Sequence, residues 1–280
     1  MNVIIFSKDR AAQLDALIRS IREQVEDFKT RGRWAVIHTA SSDALSDGYS
    51  LLKEKPHSAD FNFVDEREDG RAFKQIVVET MREQHEATGD PHCMFLVDDN
   101  VFKAPLPRET KQQRVFEATP EILCLSLRMQ PGYDFSHPMN KRGKKPGWPW
   151  SLEWRWPGAK GDWGYPMSVD GHLFRFSELM PIVEACDFKN PNSFEAELAR
   201  RANKKQPWMI CMKRAPVVNL PVNIVQSTFK NRAGEEHAIS VEELNNAYLA
   251  GKRVALGPIY ALGNNRGPHH EMPIELEPVR

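Results

Sequence analysis

The sequence predicts an α/β protein, with a mostly parallel central sheet and helices on both faces. Three observations predict it: short unbroken apolar runs of strand length, amphipathic stripes between them, and polar clusters closing each run. Val3 to Phe6 is the first such run. The polar turn Ser7-Lys8-Asp9-Arg10 follows, and then Leu14, Leu17, Ile18, Ile21, Val25 and Phe28 trace one helical face. A buried strand, a polar turn and an amphipathic helix make the first half of a βαβ unit.

The pattern recurs through the first half. Trp34 to Ile37 reads as a second strand, closed by Thr39-Ala40-Ser41-Ser42-Asp43, and Phe61, Phe63 and Val64 as a third. Phe73, Ile76, Val77, Thr80 and Met81 mark a second helix. Cys93 to Val97 is a fourth strand that runs into Asp98-Asp99-Asn100, and Ile122 to Leu127 a fifth. In such sheets ligands bind at the carboxyl ends of the strands, where these polar clusters fall. From Gly132 to Tyr165 periodicity stops, Pro and Gly are frequent, and five of the seven tryptophans appear: Trp148, Trp150, Trp154, Trp156 and Trp163. A loop of that length inside an enzyme is usually a lid or a binding loop, here with indoles expected to close over a ligand. Beyond it come a strand-like Met167 to Phe176, a helix around Ser177 to Ala185 and another from near Asn192. Ser240-Val241-Glu242-Glu243 opens a further helix as a capping box, which Gly251 closes. The economical reading is one domain over 1–280. Residues 1–130 form its first half, and 131–280, with the tryptophan-rich loop 132–165, a second half built onto the sheet's edge.

The bulk numbers agree with an ordinary globular chain. There are 280 residues, 41% hydrophobic and 27% charged, with 38 basic and 38 acidic residues for a formal charge of +0. That balance argues against a surface built throughout to hold polyanions, though not against a local basic patch. Cys93, Cys124, Cys186 and Cys211 lie far apart with no zinc-like spacing, which points to reduced, buried thiols and a cytoplasmic protein. No apolar run approaches the roughly 18 residues of a membrane span. Lys8, Asp9 and Arg10 interrupt the apolar N-terminus too soon for a signal peptide.

The chemistry concentrates at Asp98-Asp99-Asn100. Adjacent carboxylates at the mouth of a buried strand repel, and are costly unless a cation or hydrogen-bond donors offset them. A divalent ion bridging carboxylate and diphosphate would do so, Mg²⁺ and Mn²⁺ preferring hard oxygen ligands. The competing account is an Asp/Asn turn that merely ends the strand.

With these residues in place the sequence resembles the GT-A glycosyltransferases, especially the inverting family 2. The opening Ile4 to Arg10, with Gln13-Leu14, Leu17 and Ser20-Ile21, is similar to their first strand, donor-binding turn and first helix. Thr39 to Asp43 falls at their second donor turn, and Asp98-Asp99-Asn100 at their Asp-x-Asp motif. The likeness covers about the first 130 residues well and the rest in patches, and it departs from the family in carrying Asn100 at the last motif position. It implies a GT-A type nucleotide-sugar-binding fold, an inverting, metal-dependent hexosyltransferase-like activity, and a nucleotide-sugar donor, first of all a UDP-sugar. The acceptor would be a glycan, a small molecule or modified DNA.

The resemblance also distributes roles. Phe6, Ser7 and Arg10 would line the nucleotide pocket with Ser41, Asp43 would reach the base or ribose, and Asp98 the ribose. Asp99 or Asn100 would hold the metal, with His269 or His270 as a late third ligand and His172 and His237 as weaker ones. Ser7 and Asp9 can instead cap the first helix. Lys74 is placed to meet a phosphate, or faces solvent as lysines on amphipathic helices usually do. The general base would be Glu195, at the first turn of a helix whose dipole keeps a carboxylate ionised. Asn192 and Glu195 also read as a capping box. Asp170, before Gly171, is the competing base.

Lys141-Arg142-Gly143-Lys144-Lys145-Pro146-Gly147-Trp148-Pro149-Trp150 interleaves cations with indoles, a pattern suited to phosphate contacts and base stacking. Indole also stacks on sugar rings. The segment therefore carries a second hypothesis, a nucleic-acid-binding or DNA-base-modifying protein. A third, a nucleotidyltransferase, lacks the Gly-rich loop expected after the first strand to hold a triphosphate.

Overall fold

The computed structural model describes residues 1–148, 150–225, 232–263 and 265–279. The first half alternates as its apolar pattern requires: β1 (Asn2–Lys8), α1 (Ala11–Gln24), β2 (Trp34–Thr39), α2 (Asp43–Lys53), β3 (Asn62–Asp65), α3 (Glu66–Asp69), α4 (Phe73–Thr88) and β4 (His92–Val97). After β5 (Asn100–Phe102) and α5 (Lys111–Ala118) comes β6 (Ile122–Ser126). Helix α2 escapes the periodicity reading because its buried face is small: Leu45, Gly48, Tyr49 and Leu52. Gly48 is required there, since a Cβ would meet the Asn245 side-chain oxygen at 2.2 Å.

The tryptophan-rich segment contains β7 (Phe135–Ser136), β8 (Lys141–Arg142) and β9 (Glu153–Arg155); its Pro149 lies outside the described residues. The chain continues through β10 (His172–Arg175), α6 (Phe176–Ala185), α7 (Pro191–Arg200), β11 (Trp208–Cys211) and β12 (Val217–Asn219). It ends with α8 (Val241–Leu249), β13 (Lys252–Val254), α9 (Gly257–Tyr260) and β14 (Leu276–Pro278). Ser240 and Glu243 form the expected capping box of α8, and Gly251 closes it with φ 80°.

The main sheet runs β3-β2-β1-β4-β10-β6-β11-β9. All but β10 and β9 point one way, so it is mostly parallel. One expectation is corrected here. The second half is not simply added at the edge, because β10 inserts antiparallel between β4 and β6. The two halves share one sheet. Alternation along β1 builds both layers: Val3 and Ile5 pack with α1 and α2, and Ile4 and Phe6 with α4, α6 and α7. Among the described residues no helix is long and apolar enough to cross a membrane.

The tryptophans divide sharply. Trp154 and Trp163 are core residues packed edge to face at 4.9 Å, and Trp156 is buried with its indole N–H on the Gln206 carbonyl. Trp148 and Trp150 are 72% and 79% exposed. The segment is therefore not a structureless lid. Its second half is pinned by β9 and by buried indoles.

Candidate functional site

A cavity of about 720 Å³ opens at the carboxyl ends of the parallel strands, the position expected of a ligand site in such a sheet. Its walls include Phe6, Ser7, Lys8 and Arg10 at the end of β1, Thr39 to Ser41 at the end of β2, and Val97 to Asp99 at the end of β4. Across the sheet Arg128 follows β6, Asp170 precedes β10, and Glu195 lies on α7. Most of the expected site residues thus converge, from segments far apart in sequence.

The acidic pair is balanced by an arginine. Arg10 Nη1 donates to Asp98 Oδ1 and to Asp99 Oδ2, each at 3.0 Å. Its Nε donates to Asn223 Oδ1 at 2.7 Å. Asp98 Oδ2 also accepts the Lys8 backbone N–H at 3.0 Å, and Asp99 Oδ1 the Asn219 side-chain amide at 2.7 Å. Burial raises both carboxyls against the pull of Arg10. With Asp98 and Asp170 nearby adding like charge, Asp99 is pushed up to about 7.

The turn that delivers Arg10 is locked by its neighbours. Asp9 takes a left-handed backbone, φ 62°, unusual for a residue with a Cβ. Its carboxylate accepts the Ser41 backbone N–H at 2.6 Å, tying the end of β1 to the end of β2. Neither Asp9 nor Ser7 caps α1, which has no side-chain cap. The Ser7 hydroxyl instead meets the Tyr49 hydroxyl at 2.7 Å, and that hydroxyl also accepts the Arg10 backbone N–H.

The other group centres on Arg128, which is 2% exposed. Its Nη1 donates to Asp170 Oδ2 at 2.6 Å and its Nη2 to Asp162 Oδ1 at 2.9 Å. His269 Nε2 stands 3.4 Å from Asp170 Oδ2. Burial disfavours the Asp170 charge, but Arg128, His269 and Asn100 outweigh it and hold its pKa low. Among the described residues Arg128 Nε, Asp162 Oδ2 and His269 Nδ1 are buried without a hydrogen-bond partner. All three residues line the cavity, so a polar ligand there would complete them.

Glu195 behaves oppositely. Burial raises its pKa, although the Ser168 hydroxyl donates to Oε1 at 2.8 Å and the Val169 N–H at 3.1 Å. The expected capping box is misplaced by two residues. Asn190 is the N-cap of α7 and pairs with Ser193, so Glu195 lies a turn inside the helix. It caps nothing, and the expected depression of its pKa by the helix end is reversed by burial.

Six expected residues lie elsewhere. Asn100 is fully buried, its Oδ1 accepting the Val97 N–H at 3.0 Å and its amide donating to Asp170. Asp43 is exposed as the first residue of α2 and does not line the cavity. Lys74 donates to the Glu184 carbonyl at 2.8 Å and joins α4 to α6. His269 takes the cavity-facing place, whereas His270 is outside the lining. His172 is buried in β10 and pushed down to about 3 by burial, and His237 gives its backbone N–H to Glu271. Arg128, Asp162, Ser168 and Tyr49 were not expected. Arg128 had a signal, a charge directly after an apolar strand; the others had none.

Among the described residues the side chains alone do not complete a divalent-ion site, and Asp99 would hold such an ion only together with a donor's phosphates. Among the described residues no three His, Cys, Asp or Glu side chains group so as to hold one. Asn100 is engaged elsewhere, and the guanidinium of Arg10 already supplies the cation that the acidic pair requires.

No family model and no curated protein matches the chain. Among solved structures it is similar to S. aureus TarS 1-349 in complex with UDP-GlcNAc, at 13% identity over 86% of this chain and 62% of that one, with a TM-score of 0.44. It is also similar to a cytidylyltransferase from Leptospira borgpetersenii, at 9% identity over 77% and 76% with a TM-score of 0.41. A third is mouse xyloside xylosyltransferase 1, at 11% identity over 73% and 79% with a TM-score of 0.33. The chain covers 60% of TarS 1-349 and 36% of the longer TarS structure.

Proposed function

We propose that this chain is a GT-A type glycosyltransferase that moves a sugar from a nucleotide-sugar donor, first of all a UDP-sugar, to an acceptor hydroxyl with inversion. One observation carries the reading: an arginine-balanced acidic pair and a carboxylate of raised pKa, Glu195, open into the same cavity. Phe6, Ser7, Arg10 and Ser41 line the donor side, Asp98 and Asp99 take the ribose hydroxyls, and Lys8 faces the diphosphate. Glu195 accepts the proton of the acceptor hydroxyl as its oxygen attacks the anomeric carbon. The bond from that carbon to the diphosphate oxygen breaks, and its electron pair leaves with the nucleotide. A raised pKa makes Glu195 the better proton acceptor. Asp170, held ionised by Arg128, is the weaker one and positions Arg128 and His269. No step is routed through a metal ion.

The turn after β1 holds no glycine and is tied down at Asp9 and Ser41, which disfavours a triphosphate-wrapping nucleotidyltransferase. Thermal shift with UDP-, GDP- and TDP-sugars beside nucleoside triphosphates tests the choice. A UDP-sugar is expected to raise the melting temperature of the wild type and not of Asp98→Ala. Stabilisation by triphosphates alone would overturn the reading.

A further inference from the structure

The exposed tryptophans have no place in the transfer chemistry, yet they lie at the end of the sheet where its cavity opens. Strand β9 runs antiparallel to β11, so the loop before it lies at the carboxyl end of the parallel strands. There the Leu152 carbonyl accepts the Cys211 N–H. The cavity opens at that same end, with the β7–β8 hairpin turn, Pro138 and Met139, in its wall. Met139 is 52% exposed, and Lys141 and Arg142 follow it on β8.

The described residues of the loop are joined by hydrogen bonds. Lys145 Nζ donates to the carbonyls of Pro146, Trp148 and Glu153 at 3.0–3.3 Å, and the Ser151 N–H closes a turn on the Trp148 carbonyl at 3.2 Å. The Lys145 ammonium is thus spent inside the loop. Trp148 and Trp150 are left in solvent, as are Lys141, Arg142 and Lys144 a few positions earlier in the chain. Two indoles more than two-thirds exposed on one short turn are a poor use of apolar surface unless a ring-shaped partner covers them. Charge points the same way. From His137 to Lys160 six basic residues meet one acidic residue, Glu153, in a chain whose formal net charge is +0.

We infer that Lys141, Arg142, Lys144, Trp148 and Trp150 form a platform for single-stranded nucleic acid. Trp148 and Trp150 stack on bases, Lys141, Arg142 and Lys144 hold phosphates, and the strand passes the cavity mouth at Pro138 and Met139. An anionic glycan fits less well. Binding sugar hydroxyls calls for carboxylates and amides, and the loop offers only Asn140, Ser151 and Glu153 beside its cations. Rings and cations with so few such groups suit sequence-tolerant binding of bases and phosphates. As the acceptor class of the proposed transfer this inference rests on that reading; as a binding site it does not.

The test is fluorescence anisotropy of the full chain with a labelled single-stranded DNA oligonucleotide, a matching duplex and a heparin oligosaccharide. The expected result is preference for the single strand, weakened roughly tenfold or more by Trp148→Ala with Trp150→Ala. Lys141→Glu with Lys144→Glu should lower affinity and flatten its salt dependence. Thermal shift by a UDP-sugar, run on the same variants, is expected to match wild type and shows that they fold. Oligonucleotide binding that ignores the tryptophans, heparin bound as tightly as DNA, or no binding to any strand would each overturn the platform. Tryptophan-dependent binding in a protein that no nucleotide sugar stabilises would keep the platform and remove the glycosyltransferase.

Discussion

Arg10 and Asp98 stand 88 positions apart in the chain and 3.0 Å apart in space, Nη1 to Oδ1. The pairing is made by adjacency of β1 and β4 in the sheet, which brings the two strand ends side by side. The same nitrogen reaches Asp99, so one guanidinium stabilises two carboxylates that would otherwise repel.

Removing it should be costly. Arg10→Ala leaves two buried carboxylates without their cation, and stability is expected to fall by about 3–5 kcal/mol in urea unfolding. Arg10→Lys should rescue little, since an ammonium cannot reproduce the fork that reaches Asn223 as well. A loss under about 1 kcal/mol would mean that other donors balance the pair.

Asp99 supplies a pH test with a defined sign. Its pKa is pushed up to about 7 by burial and like charge, against about 3.9 in an unfolded chain. The folded state therefore holds the proton more tightly. That contribution is complete below about pH 4 and is lost as pH rises through about 7. Asp99→Asn removes the dependence, so its melting temperature should gain on wild type steadily between pH 4 and pH 8. A difference that stays flat with pH would show that Asp99 remains ionised throughout.

Glu195 separates catalysis from capping. Since Asn190 and Ser193 cap α7, Glu195→Gln is expected to melt like wild type and to lose turnover by roughly 10²–10⁴-fold. Ser193→Ala should instead cost on the order of 1 kcal/mol of stability. The raised pKa of Glu195 places the acid limb of the wild-type pH–rate profile above the ordinary carboxylate range. If turnover per folded molecule survives in Glu195→Gln and collapses in Asp170→Asn, the base is Asp170.

The cation role of Arg10 can be read in the donor complex. Stabilisation by a UDP-sugar is expected to persist in EDTA and to vanish in Asp98→Ala. Stabilisation that appears only with Mn²⁺ would show that Asp99 and the donor diphosphate recruit a metal together.

Periodicity alone determined much of this protein. Apolar runs such as Val3 to Phe6 and Cys93 to Val97 are buried on both sheet faces, and solvent exclusion permits few other places for them. The family resemblance, added to the polar clusters at the strand ends, grouped Phe6, Ser7, Arg10, Asp98 and Asp99, and these residues line one cavity. A periodic pattern reports which face of an element is buried, however, and not which element is its neighbour. Only the tertiary structure decided that β10 enters between β4 and β6, which sets Asp170 beside Arg128 and Asn100. It also turned Asn100 inward, spent Lys74 on the Glu184 carbonyl and moved the cap of α7 to Asn190. The tryptophans, identical in sequence texture, were divided between core and solvent by the pairing of β9 with β11. Each of these outcomes depends on contacts between residues distant in the chain, and burial, charge balance and hydrogen bonding there are settled by the neighbours that the fold supplies.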